Sequence, residues 1–342
     1  MVLPTVSGLA TDPAAYLSSE NPTTQETSRI LSIACPPKRI VDSIRKLLTP
    51  AVQSIICHHA PNTKDLRFSP WIVSYWTQLS DLRVAKKKWS DAVLQLEQKR
   101  QSLKLSSTEA QLVDDAYNAI VGLPWSGSIQ GFVNDIPMHY LSTFVGTGWF
   151  SSEHENLMMG LLCRDLMAAG QGTVVEVITE TSDFIGKLTH AYQNPGKYGS
   201  GYQPFRWLEK LGQDLATGRQ KFLASLMNLD STHWVAVVID SEQHLLWYGD
   251  SLENPIVLSL KSALKWWMFT HFGKEFFIRN LPISSQKDGY SCGLHAWHAL
   301  SAFLLKRPSA LAKPEAMFFE RLKVMLQTID QHHDKVSYLC HI

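Results

Sequence analysis

The chain has almost no excess of either charge. Its 32 Lys and Arg stand against 31 Asp and Glu, a formal net charge of +1 over 342 residues. No global field therefore argues for nucleic acid or for a membrane surface as partner. No apolar run approaches the roughly 18 residues that cross a bilayer. The first twenty residues lack a basic stretch followed by an apolar core, so no secretory signal is expected. Cysteine is sparse as well: Cys35, Cys57, Cys163, Cys292 and Cys340 are scattered, odd in number and never in a C-x-x-C pair. That excludes a disulfide framework and a zinc ribbon. The expectation is a soluble protein of a reducing compartment, nucleus or cytoplasm, with no cofactor and no metal. No internal repeat is visible.

What is present is ample core material, with 45 % apolar residues and eleven Trp. Residues 1–28 are rich in Ser, Thr and Pro and are expected to form a flexible arm. A helical region is expected over 29–125. Its strongest stretch runs from Trp71 to Arg100, where Trp71, Tyr75, Leu79, Leu82, Trp89, Val93 and Leu96 recur at helical spacing. Lys86, Lys87 and Lys88 read as the solvated face of that helix rather than a nucleic-acid contact. A shorter helix is expected from Thr108 to Ile120, capped by Ser107. Cys57-His58-His59 has no distant partner and reads as a loop, not a metal site.

From about 126 the pattern changes to short apolar runs between helices, and a second domain is expected over 126–310 with a helical tail over 311–342. Ser151 or Ser152 caps a helix reaching about Met167. Thr173–Ile178 is β-like, Thr181–Gln193 helical, and Asn194–Gly201 a mobile loop by composition. Val235–Ile239 and His244–Tyr248 read as a hairpin turning at 240–243. Leu258–Phe272 is an amphipathic helix and Phe276–Leu281 a strand.

The chemistry concentrates in Leu281–His295, a strand end, a polar turn, a cysteine and then a helix. This layout exposes a sulfur at a helix N-terminus, where aligned N–H groups favour negative charge. Cys292 is therefore the candidate nucleophile, and Gln286, six residues upstream, the candidate oxyanion donor. A thiol nucleophile needs an imidazole and a group to orient it. Folding the hairpin about a centre between Ser241 and Glu242 sets His233 opposite Asp250, at about 4.5–5.5 Å between Cβ atoms. His295, one turn after Cys292, is a rival base with no evident orienting partner.

The residues His233-Trp234, Asp250-Ser251, Gln286 and Asp288-Gly-Tyr-Ser-Cys-Gly293 resemble the ubiquitin-like-protein-specific (SUMO/sentrin-type) cysteine protease family. Trp149-Phe-Ser-Ser152 is similar to that family's Trp-Leu-x-Asp helix start, with Ser152 in place of the acid. The resemblance covers about 136–306. It implies an α+β, papain-like fold with the order His-Asp-Gln-Cys, preceded here by a helical N-terminal region. It implies cleavage after the C-terminal Gly-Gly of a ubiquitin-like modifier, which is then the expected partner, free or in conjugates. Cys292 would be nucleophile, His233 base and then acid, Asp250 its orienter, and Gln286 an oxyanion donor. Trp149 and Trp234 would enclose a tunnel that only glycines pass. Two rivals keep the same residues: an acyltransferase using the triad, for which no Gly-rich phosphate cradle is present, and a non-catalytic modifier-binding protein.

Overall fold

The computed structural model describes residues 12–23, 34–58, 66–101, 104–307 and 311–339. His59 and Cys340, weighed above, lie outside them, as do residues 1–11 and 24–28 of the expected arm. The chain divides into two units, Met1–Ser90 and Asp91–Ile342.

In the first unit a 3-10 turn, Pro13–Tyr16, leads into β1 (Leu17–Ser18). Then come α1 (Lys38–Leu47), β2 (Ser54–Ile56) and β3 (Arg67–Phe68). The strands form an antiparallel sheet in the order β1-β2-β3. Composition pointed to a flexible arm, yet Tyr16 is fully buried among Ile44, Ile55, Phe68 and Trp76. One large aromatic side chain outweighs the polar residues around it, because its burial recovers a few kcal/mol. Helix α2 (Ile72–Arg100) begins in this unit. Its buried row is Ile72, Val73, Trp76, Leu79, Ala85, Trp89, Ala92 and Leu96. The expected stripe is thus rotated by about one position at its start, where Trp71 precedes the first helical residue and is exposed.

In the second unit α3 (Ser107–Gly122) opens with a capping box. The Glu109 amide donates to Ser106 Oγ (3.3 Å) and the Ser106 amide donates to Glu109 Oε2 (2.8 Å). The cap is Ser106, not Ser107, because this reciprocal pair needs the acid three residues after the cap. A two-stranded ladder follows, β4 (Ser128–Ile129) with β5 (Ile136–Pro137). Next come α4 (Ser152–Ala168), β6 (Val175–Val177), α5 (Thr181–Gln193) and α6 (Arg206–Ala216). Helix α6 was not anticipated, although Leu208, Leu211 and Leu215 carry a helical period and are buried. The rest of the chain gives β7 (Phe222–Leu229), β8 (His233–Asp240), β9 (Leu245–Gly249), α7 (Leu258–Phe272), β10 (Phe277–Asn280), α8 (Cys292–Leu304) and α9 (Met317–Leu339).

The central sheet has the order β10-β9-β8-β7-β6. Its three inner strands are antiparallel, and each edge strand runs parallel to its neighbour. One face, including Val235, Val237, Ile239 and Tyr248, packs on α5, α6 and α7 through Phe184, Leu208 and Trp267. The α8 helix packs on the β8 side of the sheet. All of β8 beyond His233 is buried, as expected of a strand covered on both faces. The loop 194–201, expected to be mobile, is tied to this core. Trp267 Nε1 donates to Tyr198 Oη (2.8 Å), which also meets His271 Nε2 at 2.7 Å.

The β8–β9 register corrects the hairpin arithmetic. Asp240 pairs with Leu245 and Ala236 with Gly249, so the centre lies between Glu242 and Gln243. The cause is a four-residue loop, 241–244. Asp240 Oδ1 accepts from the Glu242 (3.1 Å) and Gln243 (2.9 Å) amides, and His244 closes the loop at φ 54°. His233 and Asp250 are therefore not register partners; Asp250 lies one residue beyond the last pair. No helix among the described residues is long and apolar enough to cross a membrane.

Candidate active site

Cys292 is the first residue of α8, with Ser291 as its N-cap. The sulfur thus sits where the unpaired N–H groups of the first turn converge. Gly293 has to be glycine, since a Cβ there would stand 1.7 Å from Glu155 Oε1. Gly289 has open space around it and meets no such demand. Glu155, on α4, was not singled out by the sequence. It is wholly buried, and neither carboxyl oxygen has a hydrogen-bond partner. Burial, together with the nearby Cys292, pushes its carboxyl well above the usual range.

His233 opens β8 after a tight turn in which Asp230 and Ser231 both take positive φ. Its Nε2 lies 2.7 Å from Asp250 Oδ1. The two side chains meet diagonally, from the first residue of one strand to the residue after the end of the other. The hydrogen bond with Asp250, and then that with Cys292, raise the imidazole to a pKa of about 9. Burial opposes ionisation of Asp250. The hydrogen bonds from His233 and from the Leu252 amide (2.7 Å) overcome it and hold the carboxyl below its ordinary value.

Gln286 links the hairpin to the cysteine turn. Its amide donates to the Ser251 carbonyl (2.7 Å), and its Oε1 accepts from Ser251 Oγ (2.9 Å). Its Nε2 donates to the Asp288 carbonyl (2.6 Å) and to Asp288 Oδ1 (3.2 Å). Asp288, quoted in the sequence motif but given no role there, is the organising residue of this turn. Its Oδ1 also accepts from the Tyr290 (3.0 Å) and Ser291 (2.8 Å) amides, and its Oδ2 from Ser291 Oγ (2.8 Å). Burial disfavours its charge, but these donors hold Asp288 below the usual carboxylate range. An acid followed two and three residues later by turn residues is the Asx-turn signal that would have found it.

The two tryptophans differ in setting. Trp149 is 56 % exposed, whereas Trp234 is buried and its Nε1 donates to the Phe150 carbonyl (3.1 Å). His295, the rival base, is buried with both ring nitrogens unpartnered, and burial lowers its pKa. The structure thus brings His233, Asp250 and Cys292 together, joins Gln286 to them through Ser251, and leaves His295 without an acid.

These observations meet the comparisons with known proteins. Among solved structures the chain is similar to the SUMO protease Ulp1 with its catalytic cysteine oxidised to a sulfonic acid, at 18 % identity, with 67 % of this chain and 97 % of that one covered and a TM-score of 0.47. It is similar to the C-terminal Ulp1 protease domain in complex with Smt3, the yeast ortholog of SUMO, at 18 % identity, 68 % and 99 % coverage and a TM-score of 0.47. The catalytic domain of the Chaetomium thermophilum Ulp1-like SUMO protease matches at 14 % identity, 66 % and 90 % coverage and a TM-score of 0.46. No curated protein matches the chain. The family model for the Ulp1 protease family, C-terminal catalytic domain, matches residues 148–333, which is more than half of the chain and reaches into α9. The chain belongs to the Ulp1 protease family, as a cysteine protease of ubiquitin-like modifiers.

Proposed function

We propose that Cys292, His233, Asp250 and Gln286 carry the proteolysis, and that the substrate is a SUMO-type modifier cut after its C-terminal Gly-Gly. The observation that carries this reading is the 2.7 Å His233–Asp250 bond beside a sulfur at the first residue of α8. SUMO as the modifier rests on the named relatives. We place the reaction inside the cell, in nucleus or cytoplasm, where thiols stay reduced.

In this mechanism the Cys292 thiol passes its proton to His233, and the thiolate attacks the carbonyl carbon of the terminal glycine. The C–S bond forms as the carbonyl π electrons move onto oxygen. That oxyanion is met by the Cys292 N–H and by one of the two Nε2 hydrogens of Gln286, while Asp288 keeps the other. When the tetrahedral adduct collapses, the C–N bond breaks and the departing amine takes the His233 proton. Water then adds to the thioester with His233 as base, which releases the modifier and restores the thiol. Asp250 fixes the imidazole tautomer and balances its charge throughout. Trp149 and Trp234 wall the passage for the Gly-Gly tail, where flat rings leave no room for a Cβ.

A modifier probe with a C-terminal electrophile is expected to label the wild-type chain once, at Cys292. Cys292→Ala is expected to abolish both labelling and turnover. Labelling that survives the substitution would sink the assignment.

A further inference from the structure

We propose that Arg321, on α9, is a positioning residue that sets Trp149 for the passage of the Gly-Gly tail, an inference that rests on the reading above. Arg321 is far from the motif residues in sequence and only 1 % exposed. Two of its three guanidinium nitrogens are spent on one short stretch of backbone, and Nη1 is buried without a hydrogen-bond partner. Nε donates to the Phe144 carbonyl (3.2 Å), and Nη2 donates to the carbonyls of Thr143 (2.5 Å) and Gly148 (2.8 Å). Its flat face lies 4.1 Å from the centroid of Phe150.

Trp149 sits between two residues that are held from opposite sides. Arg321 fixes the carbonyl of Gly148 before it and the ring of Phe150 after it. Trp234 fixes the Phe150 carbonyl through its indole N–H. An exposed indole on a loop would otherwise sample several orientations, and a wall that rejects a single methyl group has to stand still. The arrangement also ties the two tryptophans together, because both sides of the passage are anchored on the same three-residue stretch, Gly148-Trp149-Phe150.

Only arginine suits this place. Three carbonyls and a ring face need several divergent N–H donors and a planar cation, whereas lysine offers a point charge on a flexible stem. The cost of burying the charge is offset by polarisable and acidic neighbours. Tyr290, two residues before Cys292, lies 5.6 Å from the guanidinium, and Asp288 and Glu155 act on it electrostatically. Burial brings its pKa down to about 10, and it remains a cation at neutral pH.

The test is steady-state cleavage of two modifier substrates, one ending in Gly-Gly and one in Ala-Gly, by the full chain and by Arg321→Lys. Alkylation of Cys292 by iodoacetamide is followed in parallel. The expected result is a KM for the Gly-Gly substrate raised about tenfold or more, kcat within a few-fold of wild type, and a Gly-over-Ala preference reduced at least about tenfold, the scale of discrimination by one methyl group. Alkylation by the small reagent, which needs no passage, is expected to proceed at the wild-type rate. An unchanged preference, or a fall in kcat at constant KM, overturns the inference and leaves the parent reading standing. A wild-type chain that cleaves no Gly-Gly modifier overturns both. Where Arg321→Lys does not fold, Phe150→Leu, which removes the stacked ring and keeps the carbonyl bonds, must relax the preference in the same direction; a wild-type preference there overturns the inference.

Discussion

The two halves of the proposed catalytic site are held by different means. His233 and Asp250 stand on β8 and just past β9, so their separation follows from a strand ladder whose backbone bonds run through the core of the sheet. Gln286 and Cys292 flank a turn without regular structure, held by hydrogen bonds to one carboxylate, Asp288. The two parts meet through the paired bonds between Ser251 and Gln286. A ladder tolerates the loss of a side chain, because its geometry resides in the backbone. A turn organised by one acid does not, because removing the acid leaves several donors unanswered at once.

The contrast can be broken first on the ladder side. Asp250→Asn is expected to leave the hairpin intact and to lower kcat by up to about 10⁴, the scale seen when a triad acid is neutralised. It is also expected to move a pH limit. The wild-type imidazole, raised to about 9 chiefly by Asp250, keeps the proton it must give the leaving amine until the pH passes about 9. Without the anion its pKa falls toward the ordinary 6.5, so the alkaline limb of kcat/KM shifts to lower pH. A limb that stays near 9 in Asp250→Asn would remove Asp250 as the cause. The stability the raised imidazole contributes is full below about pH 6.5 and is lost as the pH rises through about 9, whereas that of the lowered Asp250 carboxyl is lost as the pH falls.

On the turn side, Gln286→Ala is expected to lower kcat by about 10²–10³ with a smaller change in KM, as for the loss of one oxyanion donor. Single-turnover kinetics with a modifier fused to a reporter would measure it, and an effect confined to KM would deny Gln286 that role. The smallest effect in rate and the clearest in stability is expected for Asp288→Ala. Four donors lose their acceptor, which costs about 1–3 kcal/mol where they stay dry. Chemical denaturation should show this as a lower midpoint, whereas Asp250→Asn, on the ladder, should shift the midpoint less. Equal shifts in the two variants would erase the distinction between ladder and turn.

Much of the site was legible because its signals are local. A cysteine after a polar turn and before an amphipathic run marks a helix start in any fold, and α8 begins at that residue. The hairpin was visible from two apolar runs around polar residues, but its centre was misplaced by one position. Loop length depends on how Asp240 caps its own turn, a detail that period-two patterning does not encode. His233 still reaches Asp250, because a strand end leaves its side chain free to lean diagonally. Asp288 belonged to the quoted motif yet had no role until its acceptors could be seen in three dimensions.

By itself the sequence marked the candidate nucleophile, base and acid, and pointed to the family to which the chain belongs, since each rests on residues close together in the chain or on a motif of fixed spacing. Only the tertiary structure decided what lies around them. Glu155 comes from α4 to press against Gly293, and Arg321 comes from α9 to hold the backbone before Trp149 and the ring of Phe150 after it. Nothing periodic marks either residue, because the reason for each lies in atoms more than a hundred residues away that only packing brings into reach.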